Sequence, residues 1–161
     1  MTVQTVQLAL YKGKGQLGNA AIRWWTGSQY SHCELVVDGW FYSSSVMDKG
    51  VRRKRVGFGA DEISLREDHW DLIELPWADG AAIVRYFEAT DTDVYGWPSL
   101  IASQVFNRNR PTEHAAFCSE WCARALVLPA PSIYNPGTLN AICVWRNGLL
   151  LPPHQSTLST Q

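Results

Sequence analysis

The sequence predicts an α+β fold in which a small antiparallel sheet is packed by helices. Three observations indicate it. Short strand-like segments occupy the first half of the chain, amphipathic helical segments occupy the second half, and an Asp-Gly turn at 38–39 joins two strands. The chain has 161 residues, of which 46% are hydrophobic and 18% are charged, so it can bury a core as one domain. We expect residues 1–150 to form that domain and residues 151–161 to form a disordered tail.

The strands are predicted from runs of apolar, β-branched and aromatic residues that are bounded by turn residues. Asp38-Gly39 is the strongest turn signal, because both residues readily take the positive φ of a two-residue hairpin loop. The predicted strands cover residues 6–11, 31–37, 40–46, 51–56 and 70–75.

The register of this hairpin predicts which side chains share a face of the sheet. A two-residue loop pairs Val37 with Trp40, and counting outward pairs Glu34 with Ser43. Because side chains alternate between the faces, Cys33 is expected to point away from His32 and the candidate site. One face is predicted to carry His32, Glu34, Val36, Phe41, Ser43 and Ser45, and the other Cys33, Leu35, Tyr42 and Ser44.

The helices are predicted from apolar residues at helical spacing and from the Pro and Gly residues that bound them. Gly27 and Gly148 are expected to end the first and last helices, and Pro129 follows the end of the helix that Cys118 begins. The predicted helices cover residues 17–25, 81–89, 98–106, 118–128 and 136–145.

Cys118 and His32 are the candidate catalytic residues. A Cys at a helix start is favoured as a thiolate, because the helix dipole and the free N–H groups stabilise negative charge there. A His at the start of a strand can be held at a fixed distance as a base. We therefore predict a Cys–His pair at a cleft, with the Cys118 backbone N–H in an oxyanion hole. The residues alone also allow Cys118 to be a small buried side chain of a core helix.

The other thiols and histidines have more ordinary interpretations. Cys122 follows Cys118 by one helical turn, and core packing is its favoured role, while His114 is the alternative base. One Cys-x-x-x-Cys without a second ligand pair is a weak zinc pattern, so we expect neither a metal nor a cofactor. Since the N-terminus does not resemble an export signal, all four cysteines are expected to be free thiols.

Charge and hydropathy argue against two classes of partner. The net charge of −1 supplies no field for nucleic acid or acidic lipid, and the basic run 52–55 is interpreted as a solvated edge strand. No apolar segment reaches membrane-spanning length. We expect no nucleic-acid partner, no stable membrane insertion and a cytoplasmic location as synthesised.

Four short segments, spread over most of the chain, resemble motifs of a known family. They are residues 21–32 (AIRWWTGSQYSH), 93–97 (DVYGW), 117–126 (FCSEWCARAL) and 135–139 (NPGTL). Together they resemble the permuted NlpC-type papain-like cysteine hydrolases, the group that includes the YiiX-like proteins. In that group the catalytic His precedes the catalytic Cys in sequence, as His32 precedes Cys118 here.

The resemblance implies a circularly permuted papain-like fold and a cysteine hydrolase, an amidase or peptidase, with Cys118 as nucleophile and His32 as base. The family carries a third polar residue on the strand after the His, where this chain has three serines at 43–45. Either Ser43 or Ser45 would orient His32, or Glu34 would substitute from the His strand itself.

The implied substrates are peptides or acyl amides, with peptidoglycan peptides as the leading class, which would suit a bacterial or phage origin and delivery to the cell wall by a phage route. One alternative is a thiol acyltransferase or esterase that acts on lipid acyl groups, favoured by an apolar groove lined by Trp24, Trp25 or Trp40. The other alternative is a binding protein that has lost catalysis.

Overall fold

This computed structural model describes residues 4–13, 23–24, 27–45, 50–59, 62–91 and 113–150. These residues contain five strands and three α-helices. The α+β class is thereby confirmed. The elements are β1 (Val6–Tyr11), β2 (His32–Val37), β3 (Trp40–Ser45), β4 (Gly50–Arg55), β5 (Trp70–Glu74), α1 (Gly80–Thr90), α2 (Glu113–Ala125), a 3₁₀ turn (Pro131–Ile133) and α3 (Pro136–Leu150). The predicted helix at 98–106, the tail at 151–161 and most of the predicted helix at 17–25 lie outside the described ranges.

The strands form one antiparallel sheet in the order β4-β3-β2-β1-β5, and each predicted strand is present with its ends within one residue. Strands β1 to β4 lie side by side in chain order, and β5 returns to pair with β1. Asp38 and Gly39 have φ of 49° and 79°, and Val37 pairs with Trp40. The two-residue loop and its register are therefore confirmed.

The two faces of the sheet bury different sets of side chains. The helices cover the face of Cys33 and Leu35 and form the main core with it. The opposite face carries a smaller apolar cluster around Val36 and Phe41, which is covered by side chains from 56–70. The alternation predicted from the hairpin register is thus observed at these four positions.

The start of α2 differs from the prediction. The helix begins at Glu113, so Cys118 lies five residues inside it and not in its first turn. The sequence before Cys118 contains no Pro or Gly between residues 113 and 117, and nothing in it stops the helix from starting earlier. Packing of α2 against β2 and β3 then places Cys118 in the main core.

The end of α2 also comes earlier than predicted, at Ala125. Val127 has a φ of 54°, the left-handed conformation that closes many helices. The N–H of Leu128 donates to the Ala123 carbonyl at 2.9 Å and the N–H of Val127 to the Arg124 carbonyl at 3.0 Å. These two bonds satisfy carbonyls in the last turn of the helix, and so α2 ends before the chain reaches Pro129.

The last helix, α3, continues to Leu150 and passes through Gly148, where the prediction ended it. A Gly inside a helix costs about 1 kcal/mol relative to Ala, which is too little to stop a helix by itself. None of the helices in the described ranges combines the length and the apolar character that crossing a bilayer requires.

Candidate active site

His32 is the first residue of β2. Its Nε2 is 3.0 Å from Oε1 of Glu34, and its ring also hydrogen-bonds with Cys118 of α2. As the first residue of the strand, it reaches Glu34 on one face and Cys118 on the helix-covered face. The structure therefore brings together three of the four predicted site residues: His32, Cys118 and Glu34.

Glu34 holds the imidazole from a buried position. Its carboxylate is only 1% exposed, and Oε1 also accepts a hydrogen bond from Nη2 of Arg52 at 2.8 Å. A buried carboxylate needs such a partner, because an uncompensated charge in the core is costly. Glu34 is thus the orienting group that the geometry supports, and Arg52 of β4 is its counter-ion.

Arg52 is the residue of this site that sequence reasoning missed. The basic run 52–55 was predicted to be a solvated edge strand, yet the Arg52 side chain is only 16% exposed. Arg53 and Arg55 alternate onto the other face and stack over the ring of Trp40, at 5.0 and 5.7 Å from its centroid. Arg52 is paired with Ser43 across β3 and β4, and directly paired residues share a face. Extending the predicted alternation from Ser43 to β4 therefore places Arg52 on the face of Glu34.

Ser43 does not contact His32. Its hydroxyl donates to the Cys33 carbonyl at 3.0 Å, with a longer contact to the Ser44 carbonyl at 3.4 Å. Its role in the structure is therefore to fix the β2 backbone next to His32, and the prediction that it orients the ring is wrong. The side chain of Ser45, the other candidate, lies outside the described part of the chain.

Cys33 lies beside Cys118, the candidate nucleophile, contrary to expectation. Its thiol donates to Sγ of Cys118 across 3.8 Å, and both side chains are fully buried. The register assigned Cys33 to the correct face, opposite Glu34. Cys118 does not approach from the face of Glu34, because α2 packs on the face of Cys33.

Two expectations for Cys118 fail because of where it lies in α2. Only the first four N–H groups of a helix lack an intrahelical acceptor, and Cys118 is beyond them. Its backbone N–H is therefore not a free oxyanion donor, and the helix start does not act on its thiol. Its side chain is also fully buried in the main core and does not lie in an open cleft.

The pKa of Cys118 is nevertheless well below the usual value for a thiol. Burial raises it, but the S–H of Cys33, the positive charge and hydrogen bond of His32 and a backbone hydrogen bond from Cys33 together outweigh burial. These partners stabilise the thiolate through direct contacts. The helix dipole, which the sequence predicts as the cause, is not needed.

The pKa of His32 moves in the opposite direction. Burial lowers it, but the thiolate charge of Cys118 and hydrogen bonds to Cys118 and Glu34 raise it well above 6.5. Burial and the neighbouring thiols raise the pKa of Cys33, which keeps its proton and acts as a donor. These directions favour a thiolate on Cys118, an imidazolium on His32 and a neutral thiol on Cys33.

The remaining thiols and possible metal ligands lie around this pair. Cys122 is buried, with Sγ 3.8 Å from the Cys33 carbonyl, as expected for a core residue. Cys143 is buried on α3, and burial raises its pKa to about 12. His114 is in α2, but its side chain is outside the described set. Among the described side chains, no group of three or more His, Cys, Asp or Glu is arranged to hold a metal ion.

Of the four motif segments, residues 21–22, 25–26 and 93–97 lie outside the described ranges. The permuted papain-like topology stays a prediction. A comparison of the chain with protein-family models, with curated proteins and with solved structures finds no match in any of the three.

Proposed function

We propose that the protein is a cysteine hydrolase in which the Cys118 thiolate attacks an amide carbonyl and His32 carries the proton. The observation that supports this most is the hydrogen bond between Cys118 and His32, which lowers the pKa of the thiol and raises that of the imidazole, with Glu34 bonded to the same ring. This is the arrangement that nucleophilic catalysis by a thiol requires.

The proton steps follow from this charge state. Sγ of Cys118 bonds to the carbonyl carbon, and the His32 imidazolium protonates the departing amine, which leaves a thioester on Cys118. Neutral His32 then takes a proton from water, whose oxygen attacks the thioester. The acid product leaves, and Cys118 returns as a thiolate beside a protonated His32.

Glu34 keeps the His32 ring in place through both steps. Because its carboxylate is also bonded to Arg52, it is held in a fixed position against the ring. The side chain of His32 is 21% exposed, so the imidazole is the part of the site that faces solvent. Substrate therefore approaches from the side of His32, and Cys118 must become exposed for attack.

Peptidoglycan peptides are the substrate class that we propose, on the strength of the resemblance in the four motifs, with a bacterial or phage source. Lipid acyl groups and loss of catalysis are the competing outcomes. The test is a panel of cell-wall peptide amides and fatty-acyl esters, read by intact-mass detection of an acyl adduct. We expect an adduct from the peptide amides that maps to Cys118.

Two variants make this test specific. Cys118→Ala should abolish both the adduct and turnover, whereas Cys143→Ala removes a buried thiol that is outside the pair and should retain both. An adduct from fatty-acyl esters alone would favour the lipid enzyme. Unchanged turnover in Cys118→Ala would refute the proposed nucleophile.

A further inference from the structure

The site contains a second thiol that the hydrolytic reaction does not use. Cys33 is fully buried, and its Sγ lies 3.8 Å from Sγ of Cys118, which is van der Waals contact between two sulfurs. A thiolate and a thiol at this distance are the two reactants of disulfide formation once one of them is oxidised.

We propose that Cys118 and Cys33 form a dithiol redox site that reduces a hydroperoxide and becomes a disulfide. The proposal uses the same Cys118–His32 contact as the hydrolase, but it does not depend on amide chemistry. The oxidant is hydrogen peroxide or a small organic hydroperoxide. The disulfide would remove the nucleophile until a dithiol reductant restores it.

The first step oxidises Cys118. Its thiolate attacks the terminal peroxide oxygen and the O–O bond breaks. The departing hydroxide, or the alkoxide of an organic hydroperoxide, takes the proton of the His32 imidazolium to become water or an alcohol. Cys118 is left as a sulfenic acid and His32 as a neutral imidazole. Two electrons have passed from the sulfur to the peroxide.

The second step uses Cys33. Its sulfur attacks the sulfenic sulfur of Cys118, an S–S bond forms, and the S–O bond breaks. The hydroxide that leaves and the proton lost by Cys33 make water. In the reduced state, burial is the main cause that keeps the proton on Cys33, and the neighbouring Cys118 thiolate adds to it. Oxidation removes that negative charge and leaves neutral His32 as an acceptor nearby.

Geometry favours Cys33 over Cys122 as the partner. The sulfur of Cys122 is directed at the Cys33 carbonyl, 3.8 Å away, and Cys122 is on the same helix as Cys118. A bond between Cys118 and Cys122 would have to form within one helix, whereas Cys33 approaches from the sheet. Closing the Cys33–Cys118 separation of 3.8 Å to a disulfide of about 2 Å needs only a short displacement of the two sulfurs.

A small oxidant needs less access to this buried location than a peptide substrate does. Hydrogen peroxide is little larger than water, and the partly exposed ring of His32 contacts Cys118 directly. The redox step therefore needs less opening of the structure than attack on a peptide does.

The test is treatment of the reduced full-length chain with hydrogen peroxide in the absence of any acyl substrate, followed by intact mass and non-reducing peptide mapping. We expect a loss of about 2 Da and a crosslink between the peptides of Cys33 and Cys118, both reversed by dithiothreitol. Trypsin leaves Cys118 and Cys122 in one peptide, so Cys122→Ser is the variant that assigns the crosslink. It should still lose about 2 Da.

Cys33→Ser should instead gain about 16 and then 32 Da on Cys118, because the thiol that resolves the sulfenic acid is gone and Cys122 on the same helix is not placed to replace it. A crosslink that disappears in Cys122→Ser, or a wild-type chain that is oxidised to the sulfinic acid without any loss of 2 Da, would overturn the proposal. The wild-type and Cys122→Ser results decide it even if Cys33→Ser does not fold.

The two proposals fail separately. An acyl adduct without the crosslink refutes only the redox site. A crosslink without any acyl adduct refutes only the hydrolase.

Discussion

The position of one carboxylate decides how His32 is held. Glu34 contacts the ring at 3.0 Å, whereas the hydroxyl of Ser43 is bound to the Cys33 carbonyl. Since the Glu34 hydrogen bond and charge both raise the pKa of His32, Glu34 helps to keep the imidazolium protonated. A serine hydroxyl carries no charge and would contribute less even at the same place.

Glu34→Gln should therefore lower the pKa of His32. In a thiolate–imidazolium enzyme, activity falls at high pH as the imidazolium loses its proton, so the alkaline limb of the kcat/KM profile should move to lower pH. The rate at neutral pH should fall by less than the roughly two to four orders of magnitude that loss of a general base costs in His32→Ala.

Ser43→Ala is the matched control for this experiment, because Ser43 is buried beside the same strand but does not touch the ring. Its alkaline limb should stay where the wild type has it. If the alkaline limb moves in Ser43→Ala and stays fixed in Glu34→Gln, the assignment of the orienting role to Glu34 is wrong.

At the scale of the element, β4 shows how one edge strand serves two purposes. Its residues alternate, so Arg52 turns inward to the buried carboxylate of Glu34, and Arg53 turns to the other face, where it stacks on Trp40. The two arginines are neighbours in sequence and have the same charge, but their surroundings differ in burial. Their contributions to stability should differ accordingly.

Arg52→Ala should lower the free energy of unfolding by about 3 kcal/mol, since it removes the arginine from the buried Glu34 carboxylate and leaves only the His32 ring as its partner. Arg53→Ala loses a stacking contact near the surface and should cost less than about 1 kcal/mol. Urea denaturation of both variants measures this difference. Equal losses for the two would contradict the assignment of Arg52 to Glu34.

At the scale of the whole molecule, the buried charges of Cys118 and His32 make stability depend on pH. Below pH 6.5 both groups are protonated in the unfolded chain, whereas the folded chain keeps Cys118 as a thiolate until its lowered pKa is reached. The unfolded state therefore binds one more proton, and stability falls as the pH drops below 6.5.

Below pH 6.5 and down to the lowered pKa of Cys118, we expect this proton to cost up to about 1.4 kcal/mol of stability for each pH unit. Cys118→Ser removes the thiolate and should flatten the profile in this range. Cys143→Ser should keep the wild-type slope there, because the pKa of Cys143 is raised to about 12 and this thiol does not titrate in acid. Urea midpoints across this range measure the effect, and a wild-type profile as flat as that of Cys118→Ser would argue against the ion pair.

Much of the sheet was predictable because it is encoded locally. The strand ends, the Asp38-Gly39 loop and the alternation around Leu35 and Tyr42 follow from turn residues and a period of two. Two of the site residues, Cys118 and His32, were also chosen from local sequence, and the structure brings them into contact. The start of α2 could not be found in the same way, because no stop signal precedes Cys118.

The sequence by itself determined the strands, the register of the hairpin and the types of side chain that could form a nucleophilic pair. Only the tertiary structure decided which face of the sheet α2 covers, and hence that Cys33 lies against Cys118 and that Glu34, with Arg52 behind it, holds His32. The physical reason is that alternation assigns residues to two faces without saying what packs on each. That choice is made by burial of apolar surface between elements far apart in the chain.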